Sequence, residues 1–349
     1  MSFAVWNADN AADRREWESA WLNWPDREVF AHPAYAELYC GDGDSAVCAA
    51  WRSASVNVLY PLIVRQIPSR AVNSVDLITP YGYGGPFVWG GEAGRQAVDC
   101  DFWEEYTSWA RRQEAVSEFV RFSLFADELL ESYPGVRSEC TPNVVRSLDL
   151  EEDALWRSFE HKVRKNVKRA HNTGVQVFRD ESNEHFSEFL RIYGTTMQRR
   201  NANAAYYFPV TFFEAIHKDL RGSFQYFYAC VGDRIVSAEL ILVSQNSIYS
   251  FLGGTDEEWF HRRPNDLLKF EIMRWAAAAG KKAFVLGGGY QPGDGIFRYK
   301  LSFAPDGVRP FYIGQRILNR DAYLELIDAR QKNDGEWRPR PGFFPAYRS

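Results

Sequence analysis

The sequence predicts an α/β fold of mixed α+β sheets, organised as two domains of the same kind in tandem. Three observations lead there. At 349 residues and 46% apolar content, the chain can bury two cores of ordinary size. Each half runs through helices, an antiparallel-looking strand meander, a further helix and closing strands. The turn Gly232-Asp233, between two β-rich runs, marks a tight hairpin within the second meander.

In the first half, helices are expected over 13–22 and, after His32-Pro33, over 34–38. Strand-like runs at 46–51, 56–67 and 75–78 follow, the last leading into P-Y-G-Y-G-G. A helix over 102–113 and strands at 118–124 and 143–148 complete that half. In the second half, helices near 184–199 and 209–220 precede strands at 224–231, 234–243 and 247–252. A helix over 265–279 ends at Gly280, and strands at 283–286 and 309–318 flank the cluster Gly287-Gly288-Gly289. The expected domains are therefore 1–148 and 149–318. The Pro- and Arg-rich tail, 319–349, is expected to pack on the first domain or to be partly disordered.

Between the halves lies the stretch with the strongest pattern, W-R-S-F-E-H-K-V-R-K-N-V-K-R-A-H-N-T-G at 156–174. Trp156, Phe159, Val163, Val167 and Ala170 recur in steps of three and four, which places them on one helical face. Glu151, Glu152 and Asp153 suit the positive end of a helix dipole, and Asn172-Thr173-Gly174 supplies a stop. The remaining faces carry Arg157, Lys162, Arg164, Lys165, Lys168 and Arg169. In a chain of net charge −5 that concentration of positive potential is suited to an anionic partner, although a solvated helix face has the same pattern.

Composition narrows the function classes. No run approaches the ~18 apolar residues of a membrane helix, and the N-terminus has neither a basic start nor an apolar signal core, so a soluble cytoplasmic protein is expected. Cys40, Cys48, Cys100, Cys140 and Cys230 are odd in number and lack C-x-x-C spacing, which argues against a disulfide framework or a cysteine zinc site. The six histidines form no metal-binding pair, so no metal is expected. Neither G-x-S-x-G nor G-K-[ST] occurs, which leaves hydrolase and P-loop readings without support. Tyr81, Tyr83, Tyr206, Tyr207, Tyr249, Tyr290 and Tyr299 lie beside, or within four residues of, Gly, Asn or Arg, settings in which polar-edged rings can line a cleft.

The order of elements in each half is that of a GNAT-like acyltransferase domain. Several segments together resemble the Fem-type (FemABX-like) aminoacyl transferases, whose fold pairs two such domains. They are D-L-I-T-P-Y-G-Y-G-G-P at 76–86, K-V-R-K-N-V-K-R-A at 162–170, T-T-M-Q-R-R-N at 195–201, G-G-T-D at 253–256, P-N-D-L-L-K-F-E-I-M-R-W-A at 264–276 and F-R-Y-K-L-S-F at 297–303. The resemblance implies transfer of an aminoacyl group from charged tRNA to an amine of a peptidoglycan precursor or small metabolite. It implies neither a metal nor a covalent intermediate, and no cofactor beyond the donor. Relatives of the same fold use acyl-CoA instead.

Residue by residue, the resemblance implies that Lys300 stabilises the oxyanion and that Arg199 or Arg200 holds the acceptor's anionic part, a task suited to a guanidinium fork. Tyr249 and Asp256 are further catalytic candidates, beside core-packing and turn-capping readings. Tyr81, Tyr83, Tyr207 and Tyr299 are candidates for lining the acceptor site; Tyr299, in a strand, would face away from Lys300. Lys162, Arg164, Lys165, Lys168 and Arg169 are the tRNA-binding candidates, because phosphate contacts dominate nucleic-acid affinity. Ahead of the 265–279 helix the chain reads Arg262-Arg263-Pro264-Asn265-Asp266-Leu267, without the glycines of a CoA pyrophosphate loop and with Asp266 adding negative charge, which disfavours CoA there. No lysine precedes Lys162, which departs from Fem enzymes that hold a nucleotide-linked acceptor with a first-domain lysine; Arg65 or Arg70 would have to substitute. An acyl-CoA-dependent N-acyltransferase and a non-catalytic nucleic-acid-binding protein are the competing readings.

Overall fold

The computed structural model describes residues 2–68, 74–91, 95–125, 129–291 and 293–349, with the backbone alone for 95–100. The chain divides into two units. Unit 1 comprises the chain up to Pro25, Phe30–Cys140 and Phe311–Ser349; unit 2 comprises Asp26–Val29 and Thr141–Pro310.

Unit 1 begins with β1 (Ser2–Asn7), α1 (Ala11–Leu22) and α2 (Pro33–Glu37), followed by β2 (Ser45–Arg52), β3 (Val56–Gln66), β4 (Val75–Ile78) and β5 (Phe87–Gly90). Helix α3 (Arg95–Arg112), β6 (Ala115–Arg121) and the start of β7 (Val136–Ser147) follow. Local chemistry sets the helix starts. The Asn10 side chain accepts from the Ala12 and Asp13 amides, and His32 accepts from Ala34 ahead of Pro33. In unit 2, α4 (Glu152–Ser158), α5 (His161–Asn172), β8 (Val175–Asp180), α6 (Phe186–Arg199) and α7 (Val210–Asp219) precede β9 (Phe224–Val231), β10 (Arg234–Val243) and β11 (Ser247–Thr255). Helix α8 (Pro264–Ala278), β12 (Ala283–Gly287), α9 (Gly295–Leu301), β13 (Val308–Ile317) and α10 (Arg320–Asn333) complete the chain.

The strands of each unit follow one plan. In unit 1 the order is β1-β2-β3-β4-β6-β13, with β5 beside β3; in unit 2 it is β8-β9-β10-β11-β12-β7. Four antiparallel strands are followed by a parallel pair, β4 with β6 and β11 with β12, and then by an antiparallel sixth strand. That repeated plan, with helices flanking a mixed sheet, gives two GNAT-like domains in an α/β fold.

The sixth strands are exchanged. Val144–Ser147 of β7 pair with β12, and Ile313–Ile317 of β13 pair with β6. The division therefore falls inside these strands, at Cys140 and Pro310, rather than at 148 and 318. An alternating pattern identifies a strand but not the neighbour it joins. The tail belongs to unit 1, where Ala322, Tyr323 and Leu326 of α10 pack with Val116 and Tyr347, and Arg348 Nε lies 2.5 Å from Asp76.

Two local expectations are corrected. The 156–174 stretch is two helices, broken where Phe159 (ψ 152°) and Glu160 (ψ 150°) are extended. Phe159 turns into the core, its ring 5.9 Å from that of Phe270 and 5.7 Å from that of Phe303, and the Glu160 amide donates to the Ser302 carbonyl. The apolar face is still buried, with Val163, Val167 and Ala170 each at most 1% exposed. Second, F-R-Y-K-L-S-F lies in helix α9 and the turn after it rather than in a strand. Asp294 caps α9 by accepting from the Phe297 amide at 2.7 Å.

Candidate active site

The site in unit 2 arises where two parallel strands stop pairing. β11 and β12 pair over three residues only, Ser247–Tyr249 with Ala283–Val285, after which β11 continues to Thr255 beside β10 alone. The glycines of G-G-T-D fit close approaches along this free stretch. A Cβ on Gly253 would lie 2.7 Å from the Ala238 carbonyl oxygen, and one on Gly254 would lie 2.9 Å from the Ile192 carbonyl oxygen of α6.

Lys300 reaches this region from α9, its Nζ donating to the Gly288 carbonyl oxygen at 2.7 Å, one residue past β12. Burial, with the nearby Lys269 ammonium, lowers its proton affinity to about 8, against the opposing pull of Glu239 and Asp294. Lys269, from α8, donates to the Glu239 carboxylate of β10 and, at 2.8 Å, to Ser250 Oγ, the first β11 position beyond the paired segment. Tyr299 accepts at its hydroxyl from Asn265 Nδ2 at 2.9 Å; burial, then Asp266 and Glu239, raise its proton affinity.

The start of α8 is filled by the chain itself. Arg263 adopts a left-handed conformation (φ 61°), Pro264 opens the helix, and the buried Asp266 carboxylate accepts from Asn166 Nδ2 at 3.0 Å. Burial raises Asp266's proton affinity, while Asn166 and Arg263 oppose the rise. A carboxylate thus occupies the first turn of the helix that would otherwise offer its amides to phosphate.

The remaining candidates are dispersed. The Tyr249 hydroxyl donates to Glu28 Oε2 at 2.6 Å; Tyr249 precedes Ser250, and the two side chains alternate along β11. Asp256 accepts from Arg191 Nη1 at 3.0 Å on both oxygens. Arg199 donates to the Thr255 carbonyl oxygen at 3.1 Å with its guanidinium 4.9 Å from the Phe260 ring, whereas Arg200 and Tyr207 are exposed. Among the sequence candidates in the described residues, Tyr299 is the one that shares with Lys300 the electrostatic influence of Glu239. On the basic helix, Arg164 donates to the carbonyl oxygens of Arg157 and Phe159, closing α4, and Lys162 lies 3.2 Å from Glu160. Lys165, Lys168 and Arg169 are exposed.

Unit 1 contains a separate cavity of about 1260 Å³. Its floor is a sheet face on which Ile313 faces Arg121 and Gln315 faces Phe119, beside Ile78. Helix α10 and the 342–348 segment supply walls. Arg121 donates to the Thr79 carbonyl oxygen at 3.2 Å, lies 4.9 Å from the Phe119 ring and 5.9 Å from the Tyr81 ring, and has no carboxylate partner among the described residues. Arg65, at 2.6 Å, and Arg348 share one buried carboxylate, Asp76, and Arg70 lies outside the described residues. Tyr83 is half-buried, its ring 5.5 Å from Phe30 and 5.6 Å from Phe311.

Lys269, Glu239 and Ser250 were not singled out from sequence, although a signal exists. Glu239 is the one charged residue in the run Ile235–Val243, and Lys269 sits between Leu268 and Phe270. Charged residues in such settings are rarely buried unless paired.

Residues 157–301 match the acetyltransferase (GNAT) domain. No curated protein matches the chain. Among solved structures, the crystal structure of FemX has TM-score 0.69 and 15% identity, covering 93% of this chain and 99% of that one. A conserved protein of unknown function from Bacteroides thetaiotaomicron VPI-5482 has TM-score 0.57 and 11% identity, covering 89% of this chain and 99% of that one. The C-terminal domain of a putative lysylphosphatidylglycerol synthetase from Agrobacterium fabrum has TM-score 0.54 and 14% identity, covering 92% and 97%. Domain match and fold define the class, an acyltransferase built on the GNAT fold. The chain carries two GNAT-like domains in one polypeptide, a fold it shares with the FemX structure.

Proposed function

We propose that the protein forms an amide by moving an amino acid from aminoacyl-tRNA to the amine of a small metabolite or peptidoglycan precursor. The observation that carries this reading is the half-buried Lys300 ammonium, held on the Gly288 carbonyl just past β12. In the transfer, the free-base amine attacks the ester carbonyl carbon, a C–N bond forms, the C–O bond to the ribose breaks, and the amine proton passes to the leaving oxygen. Negative charge collects on the carbonyl oxygen at the tetrahedral stage, and a fixed ammonium donor lowers that barrier.

For the donor, the Asp266 carboxylate at the start of α8 opposes a CoA pyrophosphate, while Lys165, Lys168 and Arg169 suit the phosphates of an RNA. The Fem-type enzymes that the sequence resembles use charged tRNA. For the acceptor, the unit 1 cavity sets Ile78, Phe119 and Ile313 beside Arg121, which has no carboxylate partner among the described residues, and this suits an amine-bearing molecule that also carries an anionic group.

The test is to incubate the protein with total tRNA charged with labelled amino acids, with and without a pool of candidate amines. Amine-dependent passage of label into small molecules, abolished by RNase, is expected. Consumption of acyl-CoA with no loss of label from tRNA would replace this reading with the CoA-dependent one.

A further inference from the structure

Unit 1 holds a smaller cavity of about 310 Å³ between α1 and the strands β1, β2, β3 and β5, near the lower end of the roughly 300–1,000 Å³ of small-molecule sites. Three of its residues form a row across the sheet, Arg52 of β2 opposite Asn57 of β3 and Asn57 opposite Trp89 of β5. Directly opposed side chains share a face and stand about 5 Å apart at Cβ. Trp6 of β1 and Leu59 of β3 extend the lining, and Asn23 of α1 adds a polar rim. Both indoles are held in place by the fold. Trp89 is half-buried with one ring face against Trp24, at 5.3 Å and 19° between planes. Trp6 is buried, with the Arg52 guanidinium 4.6 Å from its ring centroid. Arg52 is in turn fixed by α1, donating to Glu16 Oε2 at 2.8 Å and to the Glu16 carbonyl oxygen at 3.1 Å. Asn57 is the member that the fold does not account for. It stands between Val56 and Val58 in a strand, where asparagine is disfavoured, and its half-buried amide makes no hydrogen bond to a described residue. A partly desolvated amide without a partner costs stability that a ligand's hydroxyl would recover.

We propose that this cavity binds one pyranose ring of a neutral sugar, its C–H face against the Trp89 indole and its hydroxyls on Asn57 and Arg52. A pyranose joins a rigid apolar face of C–H groups to a rim of hydroxyls that each donate and accept. The electron-rich face of an indole suits the first. A primary amide, with a carbonyl and an NH2, suits the second, and a guanidinium adds further donors. A nucleotide phosphate fits less well, because the Arg52 charge is already answered by Glu16, and Asn57 and Asn23 bring none. The cavity shares no residue with the larger one in unit 1, and the proposal does not depend on the transfer reading.

The test uses the whole chain with isotope-labelled tryptophan and follows the indole N–H resonances, assigned with Trp6→Phe and Trp89→Phe, while methyl β-D-glucopyranoside or methyl β-D-galactopyranoside is added. Saturable shifts of the Trp6 and Trp89 resonances with one of the two, at a dissociation constant of ~1–10 mM, are expected. Asn57→Ala should raise that constant roughly three- to tenfold, the worth of one hydrogen bond. Trp89→Ala should raise it about tenfold or more; if that variant does not fold, Asn57→Ala decides alone. Sorbitol, which has the hydroxyls without the rigid C–H face, should leave both resonances in place. Adenosine is the competing probe, since a flat base can also stack on an indole. The proposal is overturned by the absence of a shift with either glycoside, by a response that folded Asn57→Ala leaves unchanged, by an equal response to sorbitol, or by adenosine binding more tightly than both glycosides.

Discussion

Burial makes Lys300 more acidic than a surface lysine, and the consequence has a definite sign. The ammonium, the form that can donate to an oxyanion, predominates below about 8 and is lost as pH rises through that value. In the proposed transfer the acceptor amine needs the opposite trend, so the rate is expected to peak where both fractions are sufficient, with Lys300 setting the descending side. Lys300 was singled out because F-R-Y-K-L-S-F resembles a family segment. Lys269 and Glu239 were not, because a lysine in a helix ordinarily reads as a solvated residue, and their pairing joins positions 30 residues apart on different elements. Asp256 shows the other side of that difficulty. Its sequence neighbourhood suggested chemistry, but its carboxylate is committed to Arg191.

At the scale of elements, periodicity located most helices and meander strands, including β9 to β11 and α8 within a residue or a few of their ends. It did not reveal the break in the basic stretch, since Phe159 continues the three-and-four spacing through a residue that is extended. β1, β5 and β8 are short edge or flanking strands with little pattern of their own, and α9 is too short for its period to show. The G-G-T-D motif has a concrete role: α6 passes so close to β11 that Gly254 has no room for a side chain. Gly254→Ala is therefore expected to destabilise the protein by about 1–3 kcal/mol, measured as a lower urea midpoint at unchanged slope. An unchanged midpoint would show that α6 can shift without cost.

At the scale of the whole molecule, the repeated β-strand plan was visible as an echo of element order, whereas the exchange of β7 and β13 was not, because each strand closes a sheet begun far away in sequence. The segment Asp26–Val29 likewise belongs to unit 2 although it lies in the N-terminal part of the chain. There Glu28 is buried against Tyr249 and Ser244, and burial raises its carboxyl from 4.5 to about 7. The folded protein thus binds a proton that the unfolded chain releases. The associated stability is fully present below about 4.5 and is lost as pH rises through about 7. Glu28→Gln should flatten this dependence, removing up to about 3 kcal/mol of the loss between acidic and mildly alkaline pH. Urea unfolding at both ends of that range measures it, and equal pH slopes for variant and wild type would contradict it. The central claim is that unit 2 performs acyl transfer through Lys300, and single-turnover transfer from aminoacyl-tRNA by Lys300→Ala tests it most directly. A loss of about 10²–10³-fold in rate with an unchanged melting temperature is predicted. A folded Lys300→Ala variant that transfers at the wild-type rate would contradict the assignment.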